Sequence, residues 1–414
     1  MQDRIILHID LNNFYATVEQ VLNPDLVGKP IAVCGDPDKR HGIVLTKSTL
    51  AKKYGVQTAE PIWQARQKCK DLVVVQPHYS EYVKYSKMVR EIYVKYTSQV
   101  ESFGLDECWL DVTGSTKLFG SGYEIADKIR NEVKETTGGL TVSIGVSFNK
   151  VFAKLGSDLK KPDAISVISK ENYREVAWSL NASEMLYIGK STYAKLKSLN
   201  IRTIGDIARS DKNMLIKHFG KSGETMYLCA NGLDDDPVKS YVDERIPESI
   251  GHGTTPPQDI ATLSNAKSII FALSEMIGFR LRGYGAICEG VNVTFRDVKL
   301  KSHSKQGLLS VPTCSSEDIA KKAIELLNES YNFKKDIPLR TITVNVFKLS
   351  MEGDAMQGIF WENDTHKKEN LDKTIDKLRQ KFGYGVLQRA LNVETVFTAD
   401  SKEIDDDFLP FDKH

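Results

Sequence analysis

Polar and apolar residues alternate in some stretches of the chain and recur at helical spacing in others. Arg4 to Leu11 (RIILHIDL) reads as a buried strand ending at Asp10. Asn12 and Asn13 can then cap a helix whose apolar positions Phe14, Val18, Val21 and Leu22 share one face. Ile31 to Cys34 and Gly42 to Thr46 read as short strands, and Thr49 to Tyr54 as a short helix closed by Gly55. Glu81 to Gln99 has helical spacing. Glu101 to Asp111 alternates on both sides of Asp106-Glu107, which predicts a hairpin with one face half buried. Tyr123 to Thr136 reads as a helix, Leu140 to Phe148 as a strand, Asn149 as the start of a helix, and Ile165 to Ile168 as a strand. The pattern predicts an α+β sheet with helices on one face, in which Asp10 and Asp106-Glu107 converge.

Asn181 to Asp206 reads as helix, turn, helix, with glycine turns at Gly189-Lys190-Ser191 and at Gly205. Such turns present backbone N–H groups that suit phosphate oxygens, though helical hairpins are also common packing units. Asp234-Asp235-Asp236-Pro237 leads into an apolar-poor linker and marks a domain boundary. Beyond it, Ser249 to Leu349 follows the order β-α-β-β-α-β, a ferredoxin-like split unit. Arg280, Arg282 and Arg296 belong to its basic residues, which suit either solvent or a nucleic-acid backbone. The tail holds Gln357-Gly358-Ile359-Phe360, then an amphipathic helix from Leu371 to Phe382 with Leu371, Ile375 and Leu378 apolar.

Composition narrows the class. The 414 residues allow two to four domains. From Met351 to His414 there are 9 basic and 14 acidic residues, a net of −5, so the rest carries +6 of the overall +1. A basic body fits a polyanionic partner. Cysteines 34, 69, 108, 229, 288 and 314 are scattered, which argues against a disulfide framework or a zinc site. No apolar run approaches ~18 residues and the N-terminus lacks a signal-peptide core, so a soluble cytosolic protein is expected, with no membrane partner.

Asp106-Glu107 alone reads more readily as an exposed turn than as a metal site. At ~4 Å and an effective dielectric of ~20, two carboxylates repel by roughly 4 kcal/mol, a cost that a divalent cation removes. The region from Gly28 to Lys70 is rich in lysine, including Lys47, Lys52 and Lys53, and suits a triphosphate or a solvated face.

Several stretches together resemble the Y-family DNA polymerases, on the DinB (DNA polymerase IV) branch. They are His8-Ile9-Asp10 with Phe14-Tyr15-Ala16, then Leu105-Asp106-Glu107 to Asp111, then Gly145 to Lys154 continuing to Lys161-Pro162. Thr203 to Asp206, Phe219-Gly220, Ser249 to His252 and Arg280-Leu281-Arg282 follow in the same order. The resemblance implies a right hand: a ferredoxin-like palm (1–12 and 77–170), small fingers (13–76), a helix-hairpin-helix thumb (171–236), a linker (237–246), a little finger (247–350) and a tail (351–414). It implies error-prone, template-directed DNA synthesis that bypasses lesions, with primer-template DNA and dNTPs as partners, and a monomer in the bacterial cytoplasm, at the nucleoid when acting. Two Mg²⁺ ions, replaceable by Mn²⁺, would sit between Asp10, Asp106, Glu107 and the carbonyl of Leu11. Asp10 and Asp106 would bridge the ions, Glu107 would face the primer side, and Asp111 would be structural. Tyr15 matches the steric gate against a ribose 2′-hydroxyl. Phe14, Thr46, Thr49, Lys52 and Lys161 match nucleotide contacts, and Gly189, Lys190, Ser191, Arg280, Arg282 and Arg296 match DNA contacts.

The chain departs from the family pattern in places. Thr49 and Lys52 stand where a tyrosine and an arginine are common, and Lys52 lacks the bidentate fork of arginine. Gly104 replaces a frequent serine, and Gly189 is one glycine where two are usual. The sliding-clamp peptide is shortened to Gln357, Gly358, Ile359 and Phe360, with Phe408 to Phe411 as a rival. A palm-type nucleotide cyclase and a DNA-binding protein with a weakened nucleotide site are the alternative readings.

Overall fold

The computed structural model describes residues 4–36, 42–241, 247–351, 364–383 and 386–387. The chain divides into two compact units, 1–34 with 44–244 and 245–409, with short segments exchanged between them in the division.

The first unit begins with strand β1 (Ile6–Leu11) and helix α1 (Phe14–Leu22). Strands β2 (Ile31–Cys34) and β3 (Val44–Lys47), helices α2 (Thr49–Lys53) and α3 (Ile62–Lys68), and β4 (Val73–Val75) come next. Then come α4 (Tyr79–Tyr93), β5 (Val100–Phe103), β6 (Glu107–Asp111), α5 (Thr116–Phe119), α6 (Gly122–Thr136), β7 (Val142–Ser147), α7 (Lys150–Leu159) and β8 (Ile165–Ile168). Five of these strands form one sheet in the order β5-β6-β1-β7-β8, and β3-β2-β4 form a smaller one.

Every residue of β1 is buried, so the sheet is covered on both faces. Leu7, Ile9 and Leu11 join a core with Val89 and Ile92 of α4 and Ile125, Ile129 and Val133 of α6. Ile6 packs on the opposite face with Trp109 and with Ala153 of α7. The expectation of helices on one face is therefore corrected. For the same reason Cys108, Trp109 and Leu110 of β6 are all buried, where half burial was expected.

Helix α7 reaches the sheet because glycine meets glycine. Gly145 stands opposite His8 in the ladder. A Cβ on Gly145 would lie 1.9 Å from the Ala153 carbonyl oxygen, and one on Gly156 would lie 3.0 Å from the Gly145 Cα. Asn149 caps α7 by accepting the Phe152 N–H at 2.8 Å. The other side of α7, through Val151, Phe152 and Leu155, packs on the helical end of this unit. That end comprises α8 (Tyr173–Ala177), α9 (Lys190–Ser198), α10 (Ile204–Arg209), α11 (Lys212–Phe219) and α12 (Lys221–Ala230).

The second unit contains β9 (Ser249–Thr254), α13 (Leu263–Gly283), β10 (Ala286–Asp297), β11 (Ser302–Thr313), α14 (Ser316–Ser330), β12 (Leu339–Met351) and α15 (Asp364–Phe382). The sheet order is β11-β10-β12-β9, so β12 separates β9 from β10 and splits the β-α-β unit. Both helices that follow the repeat pattern, α13 and α14, close one core with the sheet.

Helix α15 packs the opposite way to its apolar pattern. Leu371 is 59% exposed, while Glu369, Asp372 and Asp376 are buried. Ion pairs hold the helix instead. Arg282 meets Asp376 at 2.5 Å and Asp372 at 3.2 Å, and Arg379 meets Glu275 at 2.8 Å. A buried charge that is paired on all sides can outcompete a modest apolar stripe for the interface.

Gly145→Ala should lower the free energy of unfolding by about 3 kcal/mol in urea denaturation, because the helix backbone has no room to yield. An unchanged midpoint would show that α7 can retreat freely.

Candidate active site

Asp10 and Glu107 are direct cross-strand partners of β1 and β6, so their side chains leave the same face of the sheet. One step further on, the Leu11 N–H donates to the Asp106 carbonyl at 2.9 Å. Gly104, at φ 85°, makes the turn that a side chain would strain. Helix α4 holds the turn from behind, where Ser86 Oγ donates to the Leu105 carbonyl at 2.5 Å. The sequence thus places three carboxylates together at one end of the sheet through register alone.

Helix α7 and the segment that follows it bring two ammonium groups to them. Lys154 Nζ lies 3.0 Å from Glu107, 3.6 Å from Asp10 and 3.2 Å from Asp158. Lys161 Nζ lies 2.7 Å from Asp10 and 2.9 Å from Asp158. His8 closes the back: its Nδ1 is 2.8 Å from Ser157 Oγ, and its Nε2 is 3.2 Å from Glu107 Oε2.

Burial, then the charges of Glu107 and Asp10, push the Asp106 carboxyl up to about 7. Burial also raises Asp10, to about 6, against the pull of Lys161. Burial works against the charge of Glu107 too, but His8 and Lys154 outweigh it and hold that carboxyl at about 2. Burial drives the His8 imidazole down to about 4, so it is neutral at neutral pH. Lys154 is therefore the charge that keeps Glu107 ionised. Burial disfavours the Lys154 charge, yet the surrounding carboxylates push it up to about 12.

Four carboxyl groups, Asp10, Asp106, Glu107 and Asp158, thus share two ammoniums. Such a set of hard oxygen donors suits a divalent cation. Among the described residues, no group of three acidic, histidine or cysteine side chains is gathered as metal ligands. Here Asp10 and Glu107 turn to the lysines instead.

Tyr15 is half buried beside this cluster, and burial followed by the charge of Asp106 raises its hydroxyl pKa. Phe14, expected beside a bound sugar, is instead 3% exposed within the core. Asn13 does not cap α1 with its side chain, whose Nδ2 donates to Thr49 Oγ1 at 2.9 Å. A polar cavity there is lined by Asn12, Asn13, Ser48, Thr49, Thr141 and Pro162. Thr46 lies on β3 and Lys52 is exposed on α2, and neither lines that cavity.

Gly189, Lys190 and Ser191 are exposed at the start of α9. The second glycine turn is closed: the Gly205 N–H donates to the Trp178 carbonyl at 3.0 Å, so it offers nothing to a phosphate. In the second unit, Arg296 is exposed and donates to the Leu300 carbonyl at 2.8 Å. Arg280 is partly buried against the Gly251 carbonyl. Arg282 is corrected from a DNA contact to a buried anchor, since Asp372, Asp376 and the Cys314 carbonyl enclose it. Gln357, Ile359 and Phe360 lie outside the described residues.

Three family models match the chain. They are the impB/mucB/samB family over residues 9–158, its C-terminal domain over 247–358, and the DNA polymerase-iota thumb domain over 187–234. DNA polymerase IV of Acetivibrio thermocellus is 44% identical over 94% of this chain and 97% of its own. The chain belongs to the Y family of DNA polymerases. DNA polymerase IV 2 of Bacillus subtilis is 32% identical, covering 95% of each chain. A chimeric Y-family DNA polymerase of known structure has a TM-score of 0.74 at 27% identity, covering 84% of this chain and 99% of that one. The Y family is the lesion-bypass class of DNA-directed DNA polymerases, acting on primer-template DNA and dNTPs with a divalent metal. The cyclase and the non-enzymatic readings fall away.

Within this Y-family site, His8, Lys154 and Asp158 are groups to which the sequence reading gave no role. One signal was available for two of them: Lys154 and Asp158 follow the spacing i, i+4 of a single helix face.

In metal-free buffer, Asp106→Asn should stabilise the fold at pH 8 by about 1 kcal/mol or more. A carboxyl raised from 3.8 to about 7 is a burden when ionised, so the gain should shrink as pH falls from 7 towards 4. Thermal melts across that range measure it, and a gain that grows on acidification would contradict the charge assignment.

Proposed function

We propose that Asp10, Asp106 and Glu107 are the catalytic carboxylates of a polymerase that adds dNTPs to a primer 3′-hydroxyl and releases pyrophosphate. The observation that carries this reading is the convergence of Asp10, Glu107 and the Asp106 turn at one end of the sheet. Two Mg²⁺ ions, or Mn²⁺ in their place, held by these carboxylates and the Leu11 carbonyl, would supply a lowered 3′-hydroxyl pKa and charge stabilisation on the leaving pyrophosphate.

The chain's own groups do the rest. Lys161 exchanges its Asp10 partner for the triphosphate, to which it is a point charge. Lys154 stays with Glu107 and Asp158 and limits the net charge of the site. Thr49, tied to Asn13, shapes the polar cavity beside the nucleotide, and Lys52, exposed on α2, is a point charge for the triphosphate. Thr46 supports that region from β3. Tyr15 crowds a 2′-hydroxyl, with Phe14 packed behind it.

The sheet bearing the carboxylates is the palm (1–12 and 77–170), with fingers at 13–76, thumb at 171–236, linker at 237–246 and little finger at 247–350. Gly189, Lys190 and Ser191 hold a DNA phosphate, and Arg280 and Arg296 meet the backbone. The tail (351–414) carries Gln357, Ile359 and Phe360 as a sliding-clamp peptide. The enzyme works as a monomer in the cytoplasm, at the nucleoid when engaged. No described helix is long and apolar enough to cross a membrane.

Wild type should extend a primer across a defined template lesion in Mg²⁺, and Asp106→Ala should lose activity by at least about 100-fold. Undiminished extension by Asp106→Ala would remove the carboxylate from the chemistry. Tyr15→Ala should raise ribonucleotide insertion by about tenfold or more, and unchanged discrimination would remove the gate.

A further inference from the structure

The Tyr15 ring lies flat on the ring of Tyr82, with centroids 4.1 Å apart and planes within 7° of parallel. Tyr79 meets Tyr15 edge-on at 6.0 Å, and Phe14 meets it tilted at 5.5 Å. Tyr82 is fully buried, whereas Tyr15 is only partly so. Tyr82 is therefore the fixed plate and Tyr15 the ring laid on it.

Something in turn fixes the plate. The Tyr82 hydroxyl donates to Glu19 Oε1 at 2.5 Å. Glu19 is 3% exposed and also meets the exposed His78 ring at 2.9 Å. A carboxylate buried inside a core is costly, and an apolar residue would pack there without that cost. Its placement is explained if it holds one ring still. The spacing supports this: Tyr15 and Glu19 are one turn apart on α1, as Tyr79 and Tyr82 are on α4. The two helices thus meet ring on ring at one level and carboxylate on hydroxyl at the next.

A steric gate works only if it does not yield. A 2′-hydroxyl adds a single oxygen, and a ring free to turn about its side-chain torsions would make room for it. Geometry that must exclude one atom needs neighbours whose own rotamers are locked. We propose that Tyr82, held by Glu19, is the positioning residue that fixes the Tyr15 ring and so sets how strongly ribonucleotides are excluded. This rests on the reading of Tyr15 as the gate.

The test is single-nucleotide insertion of dGTP and of GTP opposite a template cytosine, with kcat and KM measured separately. Tyr82→Leu should lower the preference for dGTP by about tenfold, through a lower KM for GTP. Tyr82→Phe, which keeps the ring and loses the hydroxyl, should lie between it and wild type. Glu19→Gln, which still accepts the hydroxyl, should stay near wild type, whereas Glu19→Leu should follow Tyr82→Leu. Adding Tyr82→Leu to Tyr15→Ala should cause no further loss of discrimination. Equal losses with dGTP and GTP in Tyr82→Leu and Glu19→Leu would overturn the proposal and leave the stack as mere packing. Should Tyr82→Leu not fold, wild-type discrimination in both Tyr82→Phe and Glu19→Leu overturns it. Unchanged discrimination in Tyr15→Ala would instead defeat the gate reading itself, and the proposal with it.

Discussion

The closeness of α7 to the central sheet governs the chemistry of the site. Lys154 and Ser157 reach β6 and β1 only because the helix backbone lies on the sheet backbone at Gly145 and Gly156. A side chain at either glycine would lift the helix, and with it both the ammonium on Glu107 and the hydroxyl on His8. The strand register brings the carboxylates together, and the glycine contact supplies their counter-charges. The same helix carries Val151, Phe152 and Leu155 on its far side, so one element joins the sheet to the helical end of the unit.

Charge explains why this site is poised rather than inert. Four carboxyl groups with two ammoniums leave an excess of negative charge in a partly buried place, and Asp106 and Asp10 respond by holding protons more tightly. Glu107 does not, since His8 and Lys154 both sit against it. The three carboxyl groups are thus unequal before any ligand arrives. A cation would complete this arrangement, and the lysine on Asp10 would become free for an anion.

Much of the fold and the site was legible in the sequence. Alternation in Glu101 to Asp111 gave the hairpin, and the strand ending at Asp10 gave its partner. The motif order pointed to the family that the relatives show. Less visible was whatever depends on the second face of a strand. Every position of β1 is buried, so its pattern could not tell one covered face from two. Ion pairs were equally hidden: α15 reads as apolar-inward, yet Asp372 and Asp376 take its buried side because Arg282 awaits them. Gly205 looked like Gly189, but only the fold shows that Trp178 occupies its N–H.

The most direct test of the central claim is Mn²⁺ binding, followed by calorimetry on the complex with primer-template DNA and a non-reactive nucleotide. If the carboxylates at the end of the sheet hold the cations, wild type binds two ions, and Asp10→Asn or Asp106→Asn loses at least one. Equal binding by wild type and both variants would contradict the account, because the cations would then be held elsewhere.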